Sequence, residues 1–318
     1  MEAGSNVAVI DIGTNSIKLL IARRLPNGSF EPLIEKSEVT RLGEGLANHR
    51  LSETAMLRTL QRLKHFRETC RQYGVNRVTA VGTAALREAS NRVVFARMAA
   101  EEAAIVLDVI SGEEEARLSY LAVFTDPKWR EAGKLAVVDV GGGSTEMIAP
   151  KEDGSDLLRI SLPLGAVRLS EQYLRSDPLP ISQLDAATRE VDRDLSRISL
   201  PQDIQCIVGV GGTIVNLAAV KLGMQDHEPA ILHGQTLRLL ELETMIERFA
   251  QMTIAERKRV QGLEPERADT IVGGTIVLAQ VVSHLQMDEI EVSTRGLRWG
   301  VLYERYGRAP ETAQGDAL

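Results

Sequence analysis

Two stretches, VAVIDIGTNSIKLLIARR (7–24) and KLAVVDVGGGSTEMIAP (134–150), decide the fold, because a shift of 128 residues lays one on the other. Asp11 then falls on Asp139, Ala8 on Ala136, Val9 on Val137, Gly13 on Gly141 and Ser16 on Ser144. Each is an apolar run that ends at an aspartate, passes a glycine-containing turn and resumes as a second apolar run. That pattern reads as strand, tight turn, strand. A second pair supports the first: Val81-Gly82-Thr83 lies one or two residues out of the same register with Val210-Gly211-Gly212-Thr213. Two matches in the same order make chance a poor explanation. A period this long is no solenoid but one domain fold used twice.

Around these stretches each half runs strand, turn, strand, strand, then helix, strand, helix. In the first half a third strand is expected over 32–39 and a helix over 52–73. That helix carries Met56, Leu60, Leu63, Phe66, Cys70 and Tyr73 at gaps of three and four, with Ser52 to cap it and Gly74 to end it. Residues 77–91 read as a strand entering a helix, 104–110 as a short strand, and 110–124 as a helix opened by a Ser111–Glu114 capping box. The polar segment 125–134 reads as a crossing between domains. In the second half, a strand is expected over 156–163, helices over 165–174 and 181–198, and a strand, Gly-Thr turn and helix over 204–222. A loop follows over 225–236, then helices over 237–261 and 266–285, a strand over 289–293 and a helix over 296–307. The last ten or so residues read as frayed. The expected domains are 1–124 with 300–318, and 125–299.

The 318 residues are 44% hydrophobic and 25% charged, with aromatics at 4%, an ordinary globular composition. It excludes a disordered chain and a disulfide scaffold, and the length suits about two domains. The net charge of −7 gives no basic footprint for nucleic acid, although a local cluster can still bind an anionic ligand. Cys70 and Cys206 read as buried free thiols. The N-terminus has no basic region before a long apolar run, so no signal peptide is expected. No stretch reaches the ~18 apolar residues of a membrane span. The expected location is the cytoplasm.

The paired Asp-x-Gly turns suggest a ligand clamped between two similar domains. Glycine lets backbone N–H groups converge on an anion without a Cβ clash, and Ser16, Ser144 and Thr145 add hydroxyls. A carboxylate beside a polyphosphate is repelled unless a cation intervenes, so Asp11 and Asp139 imply Mg²⁺ or a positioned water. A lone Gly-Gly-Gly-Ser is most simply a hairpin turn; paired with Asp139 and repeated at Asp11, it reads better as a phosphate loop.

The pattern resembles the acetate and sugar kinase, Hsp70 and actin superfamily. Within it, the chain resembles the exopolyphosphatase and guanosine pentaphosphate phosphatase family. The carrying motifs are DIGTNSIKLLIA (11–22), VGTAALREASN (81–91), ISGEEEARL (110–118), VVDVGGGSTEM (137–147), VGVGGTIVNLA (208–218), ERADTIVGG (266–274) and GLRWGVLYE (296–304), in order over nearly the whole chain. The resemblance implies an α/β fold of two duplicated actin-like, or ribonuclease H-like, domains with an active-site cleft between them.

Glu113, Glu114 and Glu115 open a helix, where acids are favoured in the first turn without any catalysis. Spacing leaves Glu114 and Glu115 undecided; the resemblance selects Glu115 as the base that deprotonates water. It also places Arg87 on phosphate, where a guanidinium fork suits the oxygens. Asp139 is the implied metal position, with Glu146 nearby. Glu146 reads equally well as a site carboxylate or a solvent-facing strand residue. Asp11 is expected to hold water or metal. Asn15, Ser16, Gly142, Gly143, Ser144 and Thr145 are the expected phosphate donors, with Gly211, Gly212 and Thr213 as a third loop. Arg267 and Asp269 read as an ion pair, EPERAD as a solvated helix start, and Gly273-Gly274 as a close helix contact. The five histidines show no metal-ligand spacing.

Two features depart from the family pattern. Arg298-Trp299-Gly300 stands where relatives have Arg-Glu-Gly, and Trp299 is given no role. Long relatives continue into a further helical domain, which leads to an expected preference for short polyphosphate chains. The expected activity is Mg²⁺-dependent hydrolysis of the terminal phosphate of inorganic polyphosphate. The alternatives are hydrolysis of guanosine pentaphosphate to tetraphosphate, a kinase of the same superfamily, a non-catalytic sensor of guanosine tetraphosphate or polyphosphate, and an actin-like filament former. A homodimer is consistent with the resemblance; neither nucleic acid nor membrane is an expected partner.

Overall fold

A computed structural model describes residues 4–75, 77–151, 157–201 and 203–307. The chain divides into two compact units: Met1–Ala122 with the segment that starts at Leu297, and Val123–Gly296.

The first unit opens with β1 (Asn6–Ile12), β2 (Ser16–Arg24) and β3 (Phe30–Val39), an antiparallel meander. Helix α1 (Glu53–Gln72) follows, with the Ser52 side chain accepting from the Ala55 N–H. Then come β4 (Arg77–Gly82), α2 (Ala84–Glu88), α3 (Arg92–Ala103), β5 (Leu107–Val109) and α4 (Gly112–Phe124). The sheet order is β3-β2-β1-β4-β5, with β4 parallel to β1 and β5 parallel to β4. Successive β1 side chains take opposite faces. Ala8, Ile10 and Ile12 pack with residues of α1 and α3, whereas Val7 and Val9 pack with Leu118 and Ala122 of α4. Asp11 follows Val7 and Val9 in this alternation, so it shares the face on which α4 lies.

The second unit repeats the plan with β6 (Leu135–Val140), β7 (Thr145–Pro150), β8 (Leu157–Leu162), α5 (Ala166–Tyr173), α6 (Ile181–Leu195), β9 (Cys206–Val210) and α7 (Gly212–Leu222). It continues with α8 (Pro229–Leu232), β10 (Thr236–Arg238), α9 (Leu239–Gln251), α10 (Ile254–Arg257), α11 (Ile271–His284) and β11 (Glu289–Val292). Read from β8, the sheet runs β8-β7-β6-β9-β11-β10. Its first five strands match the first unit's order and strand sense, and β10 adds an antiparallel edge. This is one strand plan used twice, as the repeat implied. Helix α12 (Leu297–Tyr306) returns to the first unit, where Trp299 is 1% exposed in the core beside Leu297, Val301 and Leu302.

The expected 225–236 loop contains α8, started by Pro229, and runs into β10. The expected 237–261 helix breaks after Gln251, because Thr253 and Glu256 form a capping box that starts α10 afresh. Helix α11 starts at Ile271, after a 3-10 turn at Pro265–Arg267. A Cβ on Gly273 would lie 2.7 Å from Ser170 Oγ, and one on Gly274 2.7 Å from Thr213 Cγ2. The close contact expected of these glycines is therefore made with α5 and α7. The tail read as frayed lies outside the described residues. Among the described residues, no helix is long and apolar enough to cross a membrane.

Candidate active site

In the first unit, the β1–β2 turn is closed by the Gly13 N–H donating to the Ser16 carbonyl at 3.0 Å. The second unit closes its β6–β7 turn identically, Gly141 to Ser144, at 3.0 Å. Both aspartates sit one residue before the end of the first strand of their hairpin. Antiparallel pairing therefore sets Asp11 opposite Lys18 and Asp139 opposite Glu146. Lys18 Nζ lies 3.7 Å from Asp11 Oδ2, and Asp11 is 6% exposed. The carboxylate expected to hold water or metal thus has a tethered ammonium beside it.

Asn15 is buried, and neither side-chain polar atom makes a hydrogen bond among the described residues. Leaving both dry is costly unless a ligand completes them. The turn that carries it is strapped from behind. The Asn15 carbonyl accepts from the N–H groups of Thr40 and Arg41 at 3.0 and 2.8 Å, and Gly43 N–H donates to Thr14 at 2.9 Å. Arg58 in turn donates to the carbonyls of Thr40 and Arg41. Nothing local in the sequence announces this strap, because its partners lie far apart along the chain.

Glu115 sits in the first turn of α4 and is 7% exposed. Its Oε2 accepts from Arg87 Nη1 at 2.5 Å, and Nη1 also donates to the Ile110 carbonyl at 3.3 Å. Glu114 differs: its carboxylate is taken by Arg117 at 2.8 and 2.9 Å. Ser111 Oγ accepts from the Glu114 N–H at 3.1 Å, as the expected capping box requires of its first residue. The structure thus brings together Glu115 and Arg87, the two residues given catalytic roles. Asn91, by contrast, is structural, bonding both the N–H and the carbonyl of Leu51.

In the second unit the carbonyls of the Gly-Gly-Gly turn all face α5. Gly141 accepts from the Ala166 N–H, Gly142 from Val167 and Arg168, and Gly143 from Arg168 Nε, at 2.9–3.1 Å. In a trans peptide the N–H points opposite to the preceding C=O. The amides of Gly142, Gly143 and Ser144 are therefore turned away from α5, which makes three successive donors, a concavity suited to an anion. Gly165 makes the contact possible, since a Cβ there would lie 2.4 Å from the Gly142 carbonyl oxygen.

Glu146 is 1% exposed and accepts from Ser161 Oγ at 2.9 Å. The solvent-facing alternative is thereby removed. Two expectations need correction: Thr145 gives its hydroxyl proton to the Leu164 carbonyl at 2.6 Å, and Thr213 gives its own to Val140 at 3.3 Å. A hydroxyl has one proton, so both brace the turns instead of donating to phosphate.

The third loop lies between two charged groups. Gly211 has φ +91°, and a Cβ there would meet Asp139 Oδ1 at 2.5 Å. A Cβ on Gly212 would meet the Arg267 guanidinium at 2.2–2.6 Å. Arg267 is 8% exposed and donates through Nε to Glu264 at 2.6 Å. Its partner is thus Glu264, not the expected Asp269, and the segment read as solvated is partly buried. Burial raises the Glu264 carboxyl, but Arg267, the Asn216 side chain and His227 outweigh it and hold it below the ordinary range. Asn216 links loop and brace, donating to the Gly212 carbonyl and to Glu264.

The carboxylates of Asp139 and Glu146, with the bare glycine at 211, fit a hard cation that takes oxygen ligands. Among the described residues no group of three or more His, Cys, Asp and Glu could hold a metal. A cation here would complete its shell with water and phosphate, as Mg²⁺ commonly does.

Comparison with known proteins gives a consistent result. The profile of the Ppx/GppA phosphatase family matches residues 20–309. The chain is 32% identical over 313 residues to exopolyphosphatase 2 of Mycobacterium tuberculosis, covering 93% of this chain and 97% of that one. The crystal structure of the Aquifex aeolicus Ppx/GppA family member superposes with a TM-score of 0.78 at 34% identity, covering 95% and 97% of the two chains. An exopolyphosphatase from Cytophaga hutchinsonii superposes with a TM-score of 0.85 at 27% identity, covering 95% and 98%.

Proposed function

We propose that this chain, which belongs to the Ppx/GppA phosphatase family and hydrolyses phosphoanhydride bonds, removes the terminal phosphate of inorganic polyphosphate. The observation that carries this reading is the row of amides at Gly142, Gly143 and Ser144, turned away from α5 by the bonds their preceding carbonyls accept. Such a row suits the repeated oxyanions of a phosphate chain and makes no demand on a base or sugar. The naming of a relative at 32% identity as an exopolyphosphatase supports the same substrate.

Backbone amides of the two turns, with Ser16, Ser144 and the Asn15 amide, take phosphate oxygens. Arg87 supplies a guanidinium to the terminal phosphate and releases Glu115 as it does so. Glu115, freed from its ion pair, orients a water and takes its proton as the terminal P–O bond breaks. Asp139 and Glu146 would hold a divalent cation, which supplies charge neutralisation for the phosphate oxygens when bound. Arg267, propped by Glu264, adds positive charge behind the Gly211-Gly212 turn. A water-directed carboxylate fits hydrolysis better than transfer to an organic acceptor.

The test compares phosphate release from short polyphosphate, long polyphosphate and guanosine pentaphosphate at matched end-group concentration. Faster release from short polyphosphate than from the nucleotide supports the reading. Release mainly from the nucleotide would move the chain to guanosine pentaphosphate hydrolysis. Equal turnover of long and short polymers would remove the short-chain preference expected from the sequence.

A further inference from the structure

Three acids open α4, and spacing alone does not separate Glu114 from Glu115. The structure separates them through Arg117. Its guanidinium grips Glu114 with two bonds, Nε to Oε2 at 2.8 Å and Nη2 to Oε1 at 2.9 Å. The same group reaches α12, where Nη2 donates to Glu304 Oε1 at 3.0 Å. A forked pair of this kind fixes direction as well as distance. Beside it the two helices meet backbone to backbone: a Cβ on Gly300 would lie 2.5 Å from the Leu118 carbonyl carbon and closer still to its oxygen. Residues three and four apart share a helix face. Glu114, Arg117 and Leu118 therefore line the face of α4 that meets Gly300 and Glu304 of α12. Glu115 follows Glu114 about 100° round the axis, at ~3.6 residues per turn, and there it meets Arg87.

We infer that Arg117 is a positioning residue for Glu115: by tying Glu114 to Glu304 it sets the rotation of the first turn of α4, so that Glu115 rather than Glu114 meets Arg87. It acts through Glu114 and the backbone of the turn. The side chains of all three tied residues are partly exposed, and ion pairs so placed add little stability. What they contribute is direction. The inference rests on the proposed hydrolysis only in taking Glu115 as the base.

The experiment compares the full-length wild type, Arg117→Met, Glu304→Gln and the double variant. It reads kcat and KM for a short polyphosphate, crystal structures of each protein, and thermal melts alongside. Arg117→Met keeps the aliphatic bulk and removes the fork. In its structure Glu115 should leave Arg87 or share it with Glu114. Its kcat should fall roughly tenfold, short of the ~10²-fold that a 1 Å displacement can cost, with KM within about twofold of wild type. Its melting temperature should fall by no more than about 4 °C. Glu304→Gln loosens the far end of the tie and should show the same changes at smaller size. Added to Arg117→Met it should bring no further loss, because it acts through Arg117. An Arg117→Met structure with the Glu115–Arg87 pair unmoved overturns the inference, as does a moved pair with wild-type kcat or a double variant whose losses add. If Arg117→Met does not fold, Glu304→Gln decides: a moved pair supports the inference and an unmoved one overturns it. If the wild type itself releases no phosphate, the hydrolytic reading fails separately, and the crystal structures decide the inference by the same criterion.

Discussion

Gly165→Ala isolates the Gly142–Ser144 turn, proposed to bind phosphate, from everything else in the fold. Gly165 has φ −153° and ψ 160°, a conformation any residue adopts, so the backbone offers no objection to alanine. The obstacle is space. The new Cβ would lie 2.4 Å from the Gly142 oxygen, 2.5 Å from the Gly142 carbonyl carbon and 2.7 Å from that of Gly143. All three are backbone atoms, with no flexible side chain to swing aside. Restoring an ordinary contact of 3.4 Å moves the turn by about 1 Å, and the move pulls on the amides of Ala166, Val167 and Arg168 that hold it. Overpacking of this kind costs about 1–3 kcal/mol, or roughly 2–12 °C in melting temperature for a domain of this size. A displacement near 1 Å at a reacting group can cost ~10²-fold in rate. Phosphate release from a short polyphosphate, measured beside a thermal melt, reads both effects. Gly74→Ala is the control: it has φ +62° with nothing within 4 Å, so it should cost about 1–2 kcal/mol of strain and leave turnover intact. A Gly165→Ala protein with wild-type turnover and melting temperature would refute the placement of the amide row.

Other outcomes follow from the same geometry. Arg87→Lys should retain no more than roughly a tenth of wild-type kcat/KM, because an ammonium lacks the planar guanidinium fork proposed to meet the terminal phosphate; steady-state kinetics check this. In acid, Glu264 and Asp126 both favour the native state's ionised form. Burial raises the Asp126 carboxyl, but bonds from His233 and the Lys128 N–H, together with Arg295, hold it below its ordinary range. Unfolded carboxyls near ~4 bind protons first, so this stabilisation is complete above that pH and is lost as pH falls through the lower folded values. Melts between pH 7 and 3 should show it, and Glu264→Gln should flatten the acid slope. Burial, assisted by Glu291, pushes the Cys206 thiol up to about 12, and burial pushes Cys70 to about 11. A thiol reagent at pH 8 should therefore label the native protein far more slowly than the urea-unfolded one.

The hairpins and helices were legible because they are written locally. The run from Val7 to Arg24 alternates between two buried faces, and Met56 to Cys70 keeps one helical stripe. The repeat showed one plan used twice, but the order of the strands within each sheet came only with the structure. What stayed illegible depends on distant partners. The three residues of β10 are a strand only because β11 pairs with them, and a strand that short carries no pattern of its own. Arg267 reads as a surface residue until Glu264 and the Gly211-Gly212 turn are placed around it. The hydroxyls of Thr145 and Thr213 look like phosphate donors in sequence, but the fold spends their single protons on Leu164 and Val140. The Lys18–Asp11 pair was within reach, because closing the turn at Gly13 and Ser16 fixes those two residues opposite each other.

The central claim is that Glu115 activates water for release of a terminal phosphate. The most direct measurement is phosphate release from short-chain polyphosphate by the wild type and by Glu115→Ala, each with Mg²⁺ and with EDTA. The expected result is metal-dependent release by the wild type and a fall of at least ~10²-fold in Glu115→Ala, with polyphosphate binding retained. Release by Glu115→Ala at the wild-type rate would contradict the account.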